Sequence, residues 1–345
     1  MTSNAGDWSG RAHRCIRGCS TGALLLLAAT GTASAATVTY TTLDPPGSTQ
    51  TIPQSINRHG DVAGYYVVGG VPHGFVYRNG TYTTLDPPGS GSTAVTGIND
   101  YGQVTGYYET PTSTNTFGFV YSDGAYVTLQ VPGAVATNPS GINDRGQVTG
   151  TYQFIGAFGY VEYAFLYGDG AYITVNPPGS SAPVVTGINA RGSLAGYYGA
   201  SNTLFGFLYH EGAYTTLSVP ASVETLASGI NDLGEVCGTY SAGGAAYGFI
   251  YRSGAYTTLA VPGGIETAAM ALNDRGQVAG NYAAATGGTY GFLYASGTYT
   301  TLNPPGSIYN NPTAINWAGQ VTGWFQDAAG TVHGFLAAVP PPPDE

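Results

Sequence analysis

The sequence predicts an all-β chain: a seven-bladed β-propeller with four antiparallel strands per blade. Three observations predict it. One word, Ile/Leu-Asn-x-x-Gly-x-Val/Leu-x-Gly, recurs every 42 to 46 residues from about residue 56 to residue 323, the period of a blade or solenoid unit. Each copy carries two hairpin signals and therefore four short strands. The repeats also open on an orphan outer strand and stop one strand short, so that the two ends complete each other.

The hairpins come first. Asn57, Asn99, Asn143, Asn189, Asn231, Asn273 and Asn316 fall in one column, each followed three residues later by Gly, from Gly60 to Gly319. An Asn side chain bonds its own backbone two residues on, and Gly accepts the left-handed conformation that closes such a turn. A second hairpin runs from Gly74 to Leu85 through Gly80, with equivalents at Gly124, Gly170, Gly212, Gly254 and Gly297. Two β-branched and aromatic runs flank each of these glycines, as strands require. The four strands are called A (such as Thr93 to Asn99), B (Gln103 to Tyr108), C (Phe117 to Tyr121) and D (Tyr126 to Leu129).

Phase supplies the closure. The repeat region starts on a D strand, Thr37 to Leu43, and ends on a C strand, His333 to Ala338. If the first D strand completes the last blade, no blade edge is left unpaired at the seam. The core column is Phe75, Phe119, Phe165, Phe207, Phe249, Phe292 and Phe335 in strand C, and burying each contributes roughly 1.5 to 3 kcal/mol. These Phe, Tyr and Gly columns read as packing and turn positions without a direct role in function.

The repeats resemble a bacterial extracellular repeat family named for a His-Ala-Phe tripeptide, the HAF repeat, which shares the words Ile-Asn-Asp-x-Gly, Gly-Tyr-Tyr and Gly-Phe-Leu-Tyr. The tripeptide itself is imperfect: His73-Gly74-Phe75, Tyr163-Ala164-Phe165 and His333-Gly334-Phe335 are its nearest forms. The resemblance covers nearly all of the chain after the leader and implies an exported, propeller-like protein. It brings no catalytic or binding residues with it.

Three segments are expected: a signal peptide at 1–35, a single propeller domain at 36–338 and a Pro-rich tail at 339–345. Arg11, Arg14 and Arg17 precede an apolar run around Ala23 to Ala29, and Ala33-Ser34-Ala35 supplies a small-x-small cleavage site, the pattern of a secretory leader. The run is too short for a stable membrane span. Cys15 and Cys19 lie ahead of it, where a lipoprotein cysteine would have to follow. The expected location is the periplasm or the exterior, with no membrane insertion after cleavage.

Cleavage would leave Cys237 as the one cysteine, in a strand B column of small residues such as Thr105 and Thr149. It reads as a small buried hydrophobe rather than a nucleophile. The chain has no lysine; six Arg would face eighteen Asp and Glu, a charge near −12. That balance excludes nucleic acid and anionic membrane surfaces as partners. A monomer is expected.

Strand parity puts the A–B and C–D turns on one face and the B–C and D–A connections on the other. The first face is uniform and the second varies, which is where a rigid scaffold carries its ligand. Tyr108, Glu109, Phe154, Tyr160, Glu162, Tyr163, Trp324 and Asp327 are the candidates there, aromatics and carboxylates of the kind that stack on and hydrogen-bond sugars. The longest B–C connection is expected from Gln153 to Tyr163.

Nucleophile-elbow, zinc-protease, phosphate-loop and EF-hand patterns do not occur, so no catalytic residue, cofactor or metal ligand is assigned. His73 and His333 share a column and permit a lyase or metal site at the seam, but without an evident third ligand packing or exposure explains them better. The Asn-Asp-x-Gly tips suggest calcium only weakly, because turn-forming bonds account for them. The expected function is a non-catalytic binding or scaffolding module with an unknown saccharide or protein partner. The alternative is an extracellular propeller enzyme, a lyase or hydrolase acting on a polymer.

Overall fold

The computed structural model describes residues 37–157 and 159–340; the expected signal peptide and the end of the tail lie outside them. Among the described residues there are strands and no helix. β1 (Thr39–Leu43) stands alone ahead of β2 (Gln50–Ile56), β3 (Val62–Val68), β4 (Val71–Arg78) and β5 (Thr81–Leu85). The second repeat gives β6 (Ser92–Ile98), β7 (Val104–Glu109), β8 (Thr116–Ser122) and β9 (Ala125–Leu129). The third gives β10 (Ala136–Ile142), β11 (Val148–Gly156), β12 (Gly159–Gly168) and β13 (Ala171–Thr174). In the fourth are β14 (Ser181–Ile188), β15 (Leu194–Ala200), β16 (Thr203–His210) and β17 (Ala213–Leu217). The fifth holds β18 (Glu224–Ile230), β19 (Val236–Ala242), β20 (Ala245–Arg252) and β21 (Ala255–Leu259). The sixth holds β22 (Gly264–Leu272), β23 (Val278–Ala284), β24 (Thr289–Ala295) and β25 (Thr298–Leu302). The last repeat has β26 (Ser307–Ile315), β27 (Val321–Asp327) and β28 (Val332–Ala338).

Within each repeat the strands pair antiparallel in chain order. β28 has no following D strand; it pairs with β1 instead, Thr42 opposite Phe335. The Tyr40 and Phe335 rings meet edge to face with centroids 6.4 Å apart. Single parallel bridges, Thr116 to Ala136, Thr289 to Tyr309 and Val332 to Gln50, join the C strand of one repeat to the A strand of the next.

The recurring word now has a mechanical meaning. Its first Gly takes positive φ, +84° at Gly60, and its N–H closes the turn on Asn57 O, because only a residue without Cβ adopts that conformation freely. Its second Gly sits against a bulge in strand A. At Gly64, opposite the bulge between Pro53 and Ser55, a Cβ would lie 2.2 Å from Ile52 O, so any side chain would drive the strands apart. Each strand C Phe lies opposite this second Gly, as Phe75 does Gly64, and is 0% exposed.

Two side-chain systems tie one repeat to the next. Each Asn Oδ1 accepts the backbone N–H four residues on, and from Asn57 to Asn273 also the one two residues on, as at Asp61 and His59. Its Nδ2 donates to the carbonyl of the Asn in the following repeat: Asn57 to Asn99 O at 3.2 Å, Asn99 to Asn143 O at 3.0 Å, and onward. The last bond of this cycle returns from Asn316 to Asn57 O at 3.1 Å. On the outer side, D-strand tyrosine hydroxyls accept backbone N–H groups of the preceding repeat, Ser218 N to Tyr256 and Ala260 N to Tyr299. Across the chain ends, Asn303 N donates to Tyr40. Burial raises the pKa of these phenols, to about 12 at Tyr82, Tyr126 and Tyr172.

Candidate functional site

The strands run between two faces, and each has a recess at its centre. On the A–B turn side a recess of about 250 Å³ is ringed by the column Asn residues other than Asn189 and by the residues after them, including Asp100, Asp144, Asp232 and Asp274. These carboxylates converge just beyond the ends of the A strands. They are bound into the scaffold. Asp100 Oδ1 accepts Arg58 N at 2.8 Å, Asp144 accepts Asp100 N, Asp232 accepts Ala190 N, and Asp274 accepts Asp232 N. Burial raises the pKa of Asp144 and Asp274, assisted by the charges of Asp100 and Asp232 beside them. Arg58 pairs with Asp100, and the Arg275 guanidinium lies 3.8 Å above the Trp317 ring.

At the B–C end a cavity of about 460 Å³ is lined by Gln54, Thr186, Tyr197, Thr239, Asn311 and Trp324, with Met270 and neighbouring A-strand residues. Here the repeat breaks down. Elsewhere the A-strand column carries hydroxyls that donate to the next repeat, Thr96 to Pro139 O, Ser140 to Val185 O and Thr186 to Ala227 O. Gln54 and Met270 interrupt that column. Trp324 stacks on Tyr309 at 5.2 Å, and Asn281 Nδ2 donates to Asn311 Oδ1 at 2.5 Å.

Of the sequence candidates, Trp324 lies in this cavity. Tyr108 does not line it: its ring stacks on Phe117 at 5.5 Å and its hydroxyl meets Thr128 Oγ1 at 3.2 Å, a bond repeated from Tyr66–Thr84 to Tyr282–Thr301. The parity of strand B explains the difference, since successive side chains point to opposite faces. Tyr197 and Trp324 occupy the position before that packing column, as do Tyr65 and Tyr107. Doubling of Tyr in the Gly-Tyr-Tyr word was the signal available, and the first of the pair is the axial one.

The segment from Gln153 to Tyr163 is largely paired strand rather than loop. β11 and β12 continue to the pair Gly156–Gly159, with Phe154 opposite Val161 and Gln153 opposite Glu162. Tyr163 stacks on Tyr152 at 5.4 Å, and Phe154 packs edge-on against both rings. Tyr160 is 73% exposed at the end of this finger. Glu109 is exposed and ends β7, while Glu162 accepts a hydrogen bond from Gln153.

Asp327 caps its own turn through Oδ1, which accepts Ala329 N and Thr331 N. These backbone bonds, together with His333, lower its pKa. His333 Nδ1 lies 2.7 Å from Asp44 Oδ2, and Nε2 lies 3.4 Å from Asp327 Oδ2. Burial works to lower the His333 pKa, but the hydrogen bond and charge of Asp44, then of Asp327, carry it above 6.5. His73 pairs with its own carboxylate, Asp86, at 2.7 Å. Each histidine thus fastens a D-strand end to a C strand. Cys237 is fully buried, and burial pushes its thiol up to about 12.

No family model matches the chain, and no curated protein sequence does. Solved structures do. Virginiamycin B lyase from Staphylococcus aureus, an inactive variant with quinupristin, is similar at TM-score 0.54 and 12% identity, covering 87% of this chain and 99% of the lyase. The β-propeller domain of the Trilobed protease from Pyrococcus furiosus, with an open velcro topology, gives 0.58 at 9%, covering 84% and 94%. YCF48 bound to D1 peptide gives 0.52 at 14%, covering 89% and 97%. Such identities carry the fold alone. The chain is an all-β repeat protein with a β-propeller fold.

Proposed function

We propose that the chain is an exported, non-catalytic β-propeller of seven blades, closed by its N-terminal strand, that binds a saccharide or protein partner at the B–C face. The Asn cycle that returns from Asn316 to Asn57 and the pairing of β1 with β28 support the closed ring. The repeat words support placing it with the His-Ala-Phe repeat group, and the leader pattern supports export.

One observation carries the binding reading: the cavity of about 460 Å³ at the centre of the variable face, where Tyr197 and Trp324 stand among amides and hydroxyls. Aromatic faces with polar groups around them recognise a ligand without needing to cleave it. A hydrolase or lyase needs an acid, a base or a metal aimed at the reacting bond, and this lining is aromatic, amide, hydroxyl, thioether and aliphatic.

The test is a binding screen against glycans, cell-wall polymers and proteins extracted from the producing cell surface, repeated on a Tyr197→Ala, Trp324→Ala double variant. Binding that disappears with the two rings while the variant keeps its thermal transition is the expected result. An unchanged binding profile would remove the site.

A further inference from the structure

We infer that the partner taken at the B–C face is a cationic, partly apolar polypeptide segment; this rests on the binding reading above and names its ligand class. The charge map is the ground. All six arginines of the described residues belong to the A–B and C–D turn face: Arg58, Arg145, Arg191 and Arg275 in A–B turns, Arg78 and Arg252 at the ends of C strands. That face answers them with its own carboxylates, Arg78 with Asp61 and Arg252 with Glu235.

The opposite face has carboxylates and no arginine. Asp44, Asp86 and Asp327 are engaged by His333 and His73. Glu109, Glu162, Glu224 and Glu266 lie at or near the B–C and D–A ends of their strands, and the hydrogen bonds to Glu224 and Glu162 come from the neutral groups Ser241 and Gln153. Carboxylates distributed over one face sum into a negative field that draws cations and rejects anions. An acidic polysaccharide is therefore a poor occupant, and a neutral one leaves the charge unused.

Apolar side chains alternate with these carboxylates. Val161, Val223 and Ile265 each neighbour a Glu in sequence, and with Ile155, Tyr160 and Ile308 they are exposed on the same face, Ile155 at 72% and Val223 at 70%. Apolar side chains set beside carboxylates suit a partner that is itself partly apolar. At the centre, the π-face of Trp324 suits a guanidinium or ammonium group. A segment that alternates Arg or Lys with Leu, Ile or Val satisfies all three features.

The experiment uses the full chain and a fluorescent synthetic peptide of alternating Leu and Arg, with Glu-for-Arg and Ser-for-Leu versions as comparators. Anisotropy should show binding of the Leu-Arg peptide that weakens as NaCl rises and little binding of either comparator. The Glu109→Gln, Glu162→Gln, Glu224→Gln, Glu266→Gln variant should lose about tenfold or more in affinity at low salt. An opposite-face variant, Asp123→Asn, Asp169→Asn, Glu211→Gln, should bind as the parent does. Thermal melts show that each variant remains folded.

Affinity within about twofold of the parent in the four-Glu variant, or an equal loss in the opposite-face variant, overturns the inference. If the peptide fails to bind while a polymer binds and is lost with Tyr197 and Trp324, the cationic partner is wrong and the site stands. If the peptide binds through neither the four carboxylates nor the two rings, both fall.

Discussion

The two faces are built from the ends of the same strands, yet one is closed by periodic side chains and the other is released from them. On the A–B face each Asn bonds its own turn and the next repeat, and Asp100, Asp144, Asp232 and Asp274 secure further backbone N–H groups. A substitution there breaks two repeats at once, so that face is bound to stay uniform. On the B–C side the fixed part is the layer of Tyr–Thr bonds over the buried Phe rings, made in six repeats from Tyr66–Thr84 to Tyr282–Thr301. Beyond it, connections range from the short turn at Gly69-Gly70 to the β11–β12 finger. The bonds between repeats concentrate at one end, and the connections are free to vary at the other.

The largest effect should come at the seam. Deleting Thr37 to Leu43 removes β1, exposes the edge of β28 and takes Tyr40 from Asn303. The melting transition should collapse, whereas deletion of Pro340 to Glu345 should leave it nearly unchanged. Equal effects would refute closure by the N-terminal strand. A milder form of the same test is Phe335→Ala, which empties a fully buried ring and should cost about 3 to 5 kcal/mol in denaturant unfolding.

Next comes the contrast between the faces themselves. Asn99→Ala removes bonds to Asn143 O, Gln103 Oε1 and two turn N–H groups, leaving buried partners unmet. It should cost about 3 kcal/mol. Trp324→Ala, on a partly exposed residue, should cost about 1 kcal/mol or less while abolishing ligand binding. If Trp324→Ala proves as destabilising as Asn99→Ala, the separation of scaffold from site is wrong.

The extent to which the sequence revealed this follows from the same division. The Asn and Gly columns and the strand C Phe column could be read because each repeats seven times and has a local cause, turn geometry or a buried ring. The Asn bonds between repeats could not, since they link residues more than forty apart and leave no mark beyond the one the turn already explains. The site was harder still. Trp324, a candidate as an aromatic of the variable face, lines the central cavity; Tyr197 sits in a Gly-Tyr-Tyr word like those that only pack, and strand parity had to be known to choose between the two tyrosines. Gln153 to Tyr163 reads in the sequence as the longest B–C connection, whereas cross-strand pairing carries Phe154, Glu162 and Tyr163 within β11 and β12.

The seam should also respond to pH. His333 faces Asp44, Asp327 and the ring of Phe325, 5.0 Å away. Its folded pKa is raised, so the stability it contributes is full below the unfolded value near 6.5 and is lost as pH rises through the folded value. Thermal stability should therefore decline across that interval, and His333→Gln should flatten the decline. A parent and variant with parallel profiles would show that another group titrates.

The smallest effect tests whether the uniform face is tuned at every turn. Asn79, Asp123 and Asp169 hold the first left-handed position of their C–D hairpins, followed by Gly80, Gly124 and Gly170. Glu211 holds the same position at φ 47° with a side chain 85% exposed. Asn and Asp tolerate this conformation because their short polar groups bond locally, and Glu does not share that advantage. Glu211→Asn should raise stability by roughly 0.5 kcal/mol and leave binding at the far face untouched. A gain in stability accompanied by a change in affinity would mean that the two ends of a blade are coupled, and the division between scaffold and site would need to be redrawn.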